Sequence, residues 1–354
     1  MSVLVAMVPV LYSEKFMLPM LVIWFAAIIS GALIHFLQML KFFVLGENVI
    51  CQRILKGGGI RMAEHTRFGP AGVPPMFKLL GATITDVPKL LHEEGLDAFE
   101  YQASRWGSKP QMKIEDAKKL GAEAKKNDVR LSMHGSYFVN LSGKKEVVEA
   151  SKRRLIACAT AADWMGAYVV VFHTGFYGLV EKSFAFKNAL TALKEVSAEM
   201  KALGLKVKLG PETMGRKSQV GTIDEILSIC KEVEGTQLVI DWGHLHALHQ
   251  GTLKKVEDFR AIAEKVEQKL GTETLKTMHC HFSKIEFSSQ GEKRHHTLDE
   301  ERYGPDFHML AEVIVDFGLY PTMICESPIL DVDARKMQAT LKEVLESKYQ
   351  KSQP

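Results

Sequence analysis

Eight times after Met62, a short apolar run is followed by a stretch whose apolar residues recur at helical spacing. The runs are KLLGATI (78–84), LDAFEYQ (96–102), VRLSMHG (129–135), AYVVVFHTG (167–175), KVKLGPE (206–212), TQLVIDWGH (236–244), LKTMHCHF (275–282) and YPTMICES (320–327). They are nearly continuous in apolar residues, as strands are when both faces are covered. The intervening stretches put one apolar face forward, for example Val256, Phe259, Ile262, Ala263, Val266 and Leu270, or Met337, Leu341, Val344 and Leu345. This alternation predicts an α/β chain closed into a (β/α)8 barrel. An open doubly wound sheet is the alternative, but no G-x-G-x-x-G or Walker-type loop follows the first run.

Two regions follow from composition. Residues 62–354 hold 40 basic and 40 acidic side chains, whereas residues 1–61 hold five basic residues and two acids. Phe16 to Leu40 contains no Asp, Glu, Lys or Arg, a length that can span a bilayer as a helix. Lys41, Arg53, Lys56 and Arg61 follow it, so an anchor at 17–40 would keep the barrel on the cytoplasmic side. The competing expectation is an over-extended start: Met62 opens a sequence typical of a soluble protein, shortly after Gly57-Gly58-Gly59, whose codons can form a purine-rich ribosome-binding sequence. The five cysteines form no C-x-x-C pair, which suits a reducing cytoplasm and excludes a cysteine zinc site. Any metal must be held by His, Asp and Glu. No feature points to an obligate protein partner.

Barrel chemistry sits at the C-terminal ends of the strands. There the sequence places His134, His173, Glu212, Asp241 with His244 beyond it, His279 and His281, and Glu326. A single histidine at a strand end is usually a hydrogen-bonded core residue, and a single glutamate usually pairs with lysine. Six successive strands ending this way are harder to explain so, because burying three carboxylates beside imidazoles is costly unless cations offset them. The donor set suits Zn²⁺, Mn²⁺ or Fe²⁺, and it exceeds the four ligands of one zinc. Glu212, midway in the series, is placed to bridge two ions. The loop GEKRHH offers Glu292 and His295 as partners for His244. His279 is expected at the ions, with His281 further out and only hydrogen bonding. His246, His249, His296 and His308 have weaker claims.

The motifs MHGSYFVNLSG (133–143), FHTG (172–175), GPETMGRKSQVG (210–221), VIDWGHLHA (239–247), MHCHFSK (278–284), RHH (294–296) and CESP (325–328), in this order, resemble the endonuclease IV family of apurinic/apyrimidinic endonucleases. The resemblance covers about 77–330. It implies a (β/α)8 barrel with two or three zinc ions: one on His134, His173 and Glu212, a second on Glu212, Asp241, His279 and Glu326, and a third on His244, His295 and an acid before it. The family's Asp-x-His is altered here. Position 293 is Lys, and Glu292 can serve only if the loop shifts. The ETMGRKSQVG loop (212–221) matches loosely, and residues 1–61 have no counterpart.

The resemblance further implies base excision repair, with hydrolysis of the phosphodiester 5′ to an abasic site in DNA. Glu212 would be the bridging catalytic carboxylate and Glu326 the proton acceptor. Tyr137 matches an aromatic that contacts DNA, and Arg105, Arg216 and Lys284 are candidate phosphate contacts, although single loop charges are usually only solvated. Two other functions stay open: a divalent-metal sugar isomerase or epimerase on the same barrel, and a membrane-tethered, non-catalytic metal or ligand binder.

Overall fold

The computed structural model describes residues 65–351. The hydrophobic stretch 17–40, with both expectations attached to it, lies outside the described residues. Among the described residues no helix is long and apolar enough to cross a membrane.

Eight parallel strands form the barrel: β1 (Arg67–Pro70), β2 (Ala98–Gln102), β3 (Arg130–His134), β4 (Val169–Phe172), β5 (Lys208–Pro211), β6 (Val239–Asp241), β7 (His279–Phe282) and β8 (Thr322–Cys325). Strands β2-β3-β4-β5 form one hydrogen-bonded run and β6-β7-β8-β1 another. Two seams join them. Ala71 pairs with Glu100 between the first two strands, and Leu209 with Thr236 and Glu212 with Val239 between β5 and β6. The ring is thereby closed, which leaves no strand edge open.

Alternation along each strand divides the side chains. Phe99, Leu131, Met133, Phe172, Leu209, Ile240, Phe282 and Met323 face outward into the main core, beneath the helices. Val169, Val171 and Val239 form a separate small apolar cluster. The helices include Ile114–Lys126, Lys145–Met165, Lys182–Ala202, Ile223–Glu232, Val256–Leu270, Phe307–Asp316 and Asp331–Lys351. The two apolar faces expected from spacing, Val256 to Leu270 and Met337 to Leu345, therefore lie on helices.

The first strand is displaced from expectation. KLLGATI does not form it: Pro75–Leu79 is a short helix with proline in its first turn, and Leu79 and Leu80 are 80% and 72% exposed. The strand is RFGP, which Gly69 and Pro70 disguise as a turn. Both residues suit this position. Proline is tolerated at a strand end. A Cβ on Gly69 would lie 1.7 Å from the carbonyl oxygen of Ala98, so only glycine lets β1 approach β2 at the closing seam. Gly69→Ala should therefore destabilise the barrel by about 3 kcal/mol, at the upper end of overpacking costs. Urea unfolding of the full chain measures this, and a change below about 0.5 kcal/mol would contradict the close approach.

Candidate metal centre

The C-terminal ends of the strands bring the polar residues together in a cleft of about 260 Å³ lined by His134, Tyr137, His173, His244, Glu292, His295 and Glu326. Glu212, just past β5 and fully buried, lies at its base. Its Oε2 is 3.4 Å from His134 Nε2 and 3.3 Å from His173 Nε2. Its Oε1 is 3.1 Å from His281 Nδ1, which in turn is 3.3 Å from Glu326 Oε1. Beside this pair, His244 Nε2 is 3.4 Å from Glu292 Oε2, and His295 Nε2 is 3.8 Å from Glu292 Oε1. Three groups result: His134, His173 and Glu212; Glu212, Asp241, His281 and Glu326; and His244, Glu292 and His295. Within each, one donor atom per residue lies within 4.8 Å of the others.

Local structure aims these donors. His134 Nδ1 bonds the Gly135 carbonyl at 3.0 Å, His244 Nδ1 bonds the Thr213 carbonyl at 3.0 Å, and His295 Nδ1 bonds the Ser283 hydroxyl at 2.7 Å. Each partner leaves Nε2 toward the cleft, which is how outer hydrogen bonds fix a ligand tautomer. Asp241 caps the helix Trp242–Leu248, its Oδ1 accepting the His244 N–H at 2.6 Å, so its other oxygen is left over.

The loop GEKRHH is the second strand of a hairpin, Lys284–Ser288 with Gly291–His296. Its register shifts between Glu286 and Phe287, so that Arg294 faces Glu286 but Glu292 faces Phe287. Lys293 is the extra residue of this bulge. One inserted residue turns a three-residue spacing into the facing of a two-residue one, and Glu292 and His295 thereby share the His244 side. The loop after β5 ties the hairpin down. The Glu292 N–H donates to the Gly215 carbonyl at 2.9 Å, and Gly291, at φ 101°, sits where a Cβ would lie 2.1 Å from that same oxygen. His296 turns away, stacking on Tyr303 at 3.7 Å and bonding Glu300 at 2.8 Å.

One expectation is reversed. His281, not His279, stands with Glu212, Asp241 and Glu326. The register explains this: His281 pairs with Asp241 across the sheet, whereas His279 pairs with Val239, one layer deeper. Strand direction decides depth, and the later of two same-face residues lies nearer the C-terminal rim. His279 instead meets Glu100 at 3.1 Å. Glu100 was missed. Its signal was a carboxylate inside the apolar run LDAFEYQ, on the inward-facing alternate of β2.

The candidate DNA contacts divide. Half-exposed Tyr137 stacks on His173 at 5.3 Å and meets His134 edge-on at 5.0 Å, at the mouth of the cleft. Exposed Arg105 lies in the adjoining loop, where the Tyr137 N–H donates to the Ser104 carbonyl at 2.9 Å. Arg216 is 3.9 Å from Glu292. Lys284 is not brought to the cleft; it lines a separate cavity of about 680 Å³ with His246, Phe287 and Arg302.

The charge pattern calls for cations. Glu212 Oε2 and Asp241 Oδ2 are buried with no hydrogen-bond donor, a costly state for carboxylates without a compensating charge. Burial would raise the Glu212 carboxyl, but the His281 charge and the His134, His173 and His244 imidazoles together hold it well below its usual value. Burial opposes charge on His281 too, yet Glu100, Glu326 and Glu212 push its pKa well above the usual imidazole value. Burial, with Glu212 and Asp241 nearby, pushes Glu326 up to about 8. Without metal these shifts favour protons on the His281 imidazole and on the Glu326 carboxyl, which offset the remaining buried anions. Orphaned carboxylate oxygens beside imidazole nitrogens, with the donor set of zinc, manganese or iron sites, fit divalent ions.

A family described as xylose isomerase-like TIM barrel matches residues 88–347. The chain belongs to this family. Among its relatives, an uncharacterised protein of Methanocaldococcus jannaschii is 34% identical over 268 residues, which span 75% of this chain and 93% of that protein. A probable endonuclease 4 of Persephonella marina is 26% identical over 171 residues, 46% of this chain and 58% of that protein. Thus the chain spans over nine-tenths of the first relative but less than two-thirds of the second. Endonuclease IV of Thermus thermophilus shares the fold with a TM-score of 0.56 at 19% identity, over 73% of this chain and 94% of that one. An L-ribulose 3-epimerase also reaches 0.56, at 15% identity, over 81% and 97%. The xylose isomerase-like barrel thus carries both the endonuclease resemblance seen in the motifs and the epimerase alternative.

Because the raised His281 imidazole and the Glu326 carboxyl, pushed up to about 8, favour protons that an ion must displace, divalent binding should release protons and weaken as pH falls through about 8. Calorimetric titration of the metal-free chain in buffers of different ionisation enthalpy reads this directly. Equal heats in every buffer would show that no proton leaves.

Proposed function

We propose that this chain is a divalent-metal-dependent endonuclease that hydrolyses the phosphodiester 5′ to abasic sites in DNA, leaving a 3′-hydroxyl and serving base excision repair. The observation that carries the reading is the third group, His244, Glu292 and His295, set beside the two that share Glu212. Isomerisation of a small polyol needs one or two ions. A third, at the side of the cleft, suits a phosphodiester with separate attacking and departing oxygens. Zinc is the ion the donors fit best, with Mn²⁺ or Fe²⁺ as alternatives. His134, His173 and Glu212 would hold one ion; Glu212, Asp241, His281 and Glu326 a second; and His244, Glu292 and His295 a third. When bound, such ions lower the pKa of a water and stabilise the attacking and departing oxygens.

The protein's own residues do the remaining work. Glu212 spans two groups with its two oxygens and so fixes their separation. Glu326 lines the cleft, its Oε2 4.0 Å from His295 Nδ1, and is placed to accept the proton of the attacking water. Tyr137 offers a flat face at the mouth, and Arg105 and Arg216 supply phosphate contacts from neighbouring loops. An abasic nucleotide is cheap to extrude, since no base pair is lost.

Incubating the purified full chain with an abasic duplex should yield a 3′-hydroxyl product, abolished by chelator and restored by zinc. Glu212→Gln should lower the rate by about 10³-fold or more and reduce metal content. Intact abasic DNA alongside turnover of a ketose would replace this reading with the epimerase one.

A further inference from the structure

Beneath the groups that share Glu212, His281 continues into a buried polar chain whose other members the proposed reaction does not use. Glu100, His279 and His281 are 0% exposed and Ser132 is 1% exposed. Glu100 Oε1 is 3.2 Å from His281 Nε2. Its Oε2 is 3.1 Å from His279 Nε2 and accepts the Ser132 hydroxyl at 3.0 Å. On the far side, His279 Nδ1 meets the Tyr168 hydroxyl at 2.5 Å. Tyr168 is itself covered by the Arg130 guanidinium, 4.3 Å from its ring.

Two explanations fit these distances. Glu100, His279 and His281 have donor atoms within 4.8 Å of one another and could enclose a fourth ion. Alternatively, the three are linked by hydrogen bonds. Satisfaction of the carboxylates separates the two. Glu212 Oε2 and Asp241 Oδ2 have no hydrogen-bond donor, whereas Glu100 Oε2 accepts from Ser132, His279 and His281 and its Oε1 accepts from the Gln102 amide at 3.4 Å. A fourth ion would also require His281 to ligate through both nitrogens, because its Nδ1 already faces Glu212 and Glu326.

We infer that Glu100, backed by His279 and Tyr168, is a positioning residue that fixes the ring and tautomer of His281 so that Nδ1 is its ligating nitrogen. This rests on the metal centre proposed above. An imidazole can give a lone pair to an ion at one nitrogen only if its proton sits on the other. Glu100 accepts that proton's hydrogen bond at Nε2. The order along the chain follows: Tyr168 O–H donates to His279 Nδ1, His279 Nε2–H donates to Glu100, and Glu100 accepts from His281 Nε2–H. His134, His244 and His295 are each oriented by a carbonyl or hydroxyl and present Nε2. His281 alone among these four is oriented by a carboxylate and presents Nδ1, which makes it the most basic donor of the four.

The test uses the full chain, stripped of metal and reloaded. Zinc affinities are measured by competition with a chelator for wild type, Glu100→Gln and Tyr168→Phe. Glu100→Gln should weaken one ion by about 10- to 100-fold, with the number of ions per chain unchanged, and Tyr168→Phe should weaken the same ion by less. Wild type labelled with ¹⁵N-histidine and loaded with ¹¹³Cd should show metal coupling at His281 Nδ1 and a retained proton at Nε2. Coupling at Nε2, unchanged affinity in Glu100→Gln, or loss of a whole ion from the count would overturn the inference. Should Glu100→Gln fail to fold, the cadmium spectrum of wild type decides. A wild-type chain that binds no divalent ion would instead overturn the metal centre itself.

Discussion

One buried carboxylate organises this barrel. Glu212 is fully enclosed, and imidazoles from four other segments converge on its two oxygens. A lone anion in such a place would be untenable. It is tolerable only where positive charge is shared around it, by protons on His281 or by divalent ions. The position of nearly every other polar residue at the rim follows from this need. His134 and His173 sit on one side of Glu212, His281 and Glu326 on the other, and Asp241 is freed by its capping role to add its second oxygen.

The closed sheet makes such convergence possible. Strand ends at opposite points of an open sheet diverge, whereas here β2 and β7 face each other across the lumen closely enough for Glu100 to reach His279 and His281. Polar layers then stack by strand register. Glu100 and His279 lie one level below Asp241 and His281. The lower layer is saturated by its own hydrogen bonds, and the upper one is left with unpaired oxygens. Saturation below and deficit above are what the proposed division into a supporting layer and a metal-binding layer rests on.

Much of this was legible in the sequence, and the failures have definite causes. Apolar runs followed by amphipathic helices identified seven of the eight strands and the barrel itself. The first strand was hidden because the seam it closes demands Gly69, and because Pro70 ends it, so it carries turn residues rather than β-formers. Strand ends revealed His134, His173, Glu212, Asp241 and Glu326 because burial of so many ionisable groups needs a reason. Periodicity showed that His279 and His281 share a face but not their depth, which depends on register with β6. Glu100 was overlooked because it lies mid-strand, below the rim. The placement of Lys284 depended on which way a hairpin strand turns, and no local pattern reports that.

The bulge at Lys293 has a further consequence. By absorbing one residue, it separates the spacing of two donors along the chain from their spacing in three dimensions. A fixed-gap pattern drawn from Asp-x-His would reject this chain at that point, although Glu292 and His295 occupy the same face. Kinship in such sites is better traced through the pleat of the backbone than through the count of letters between residues.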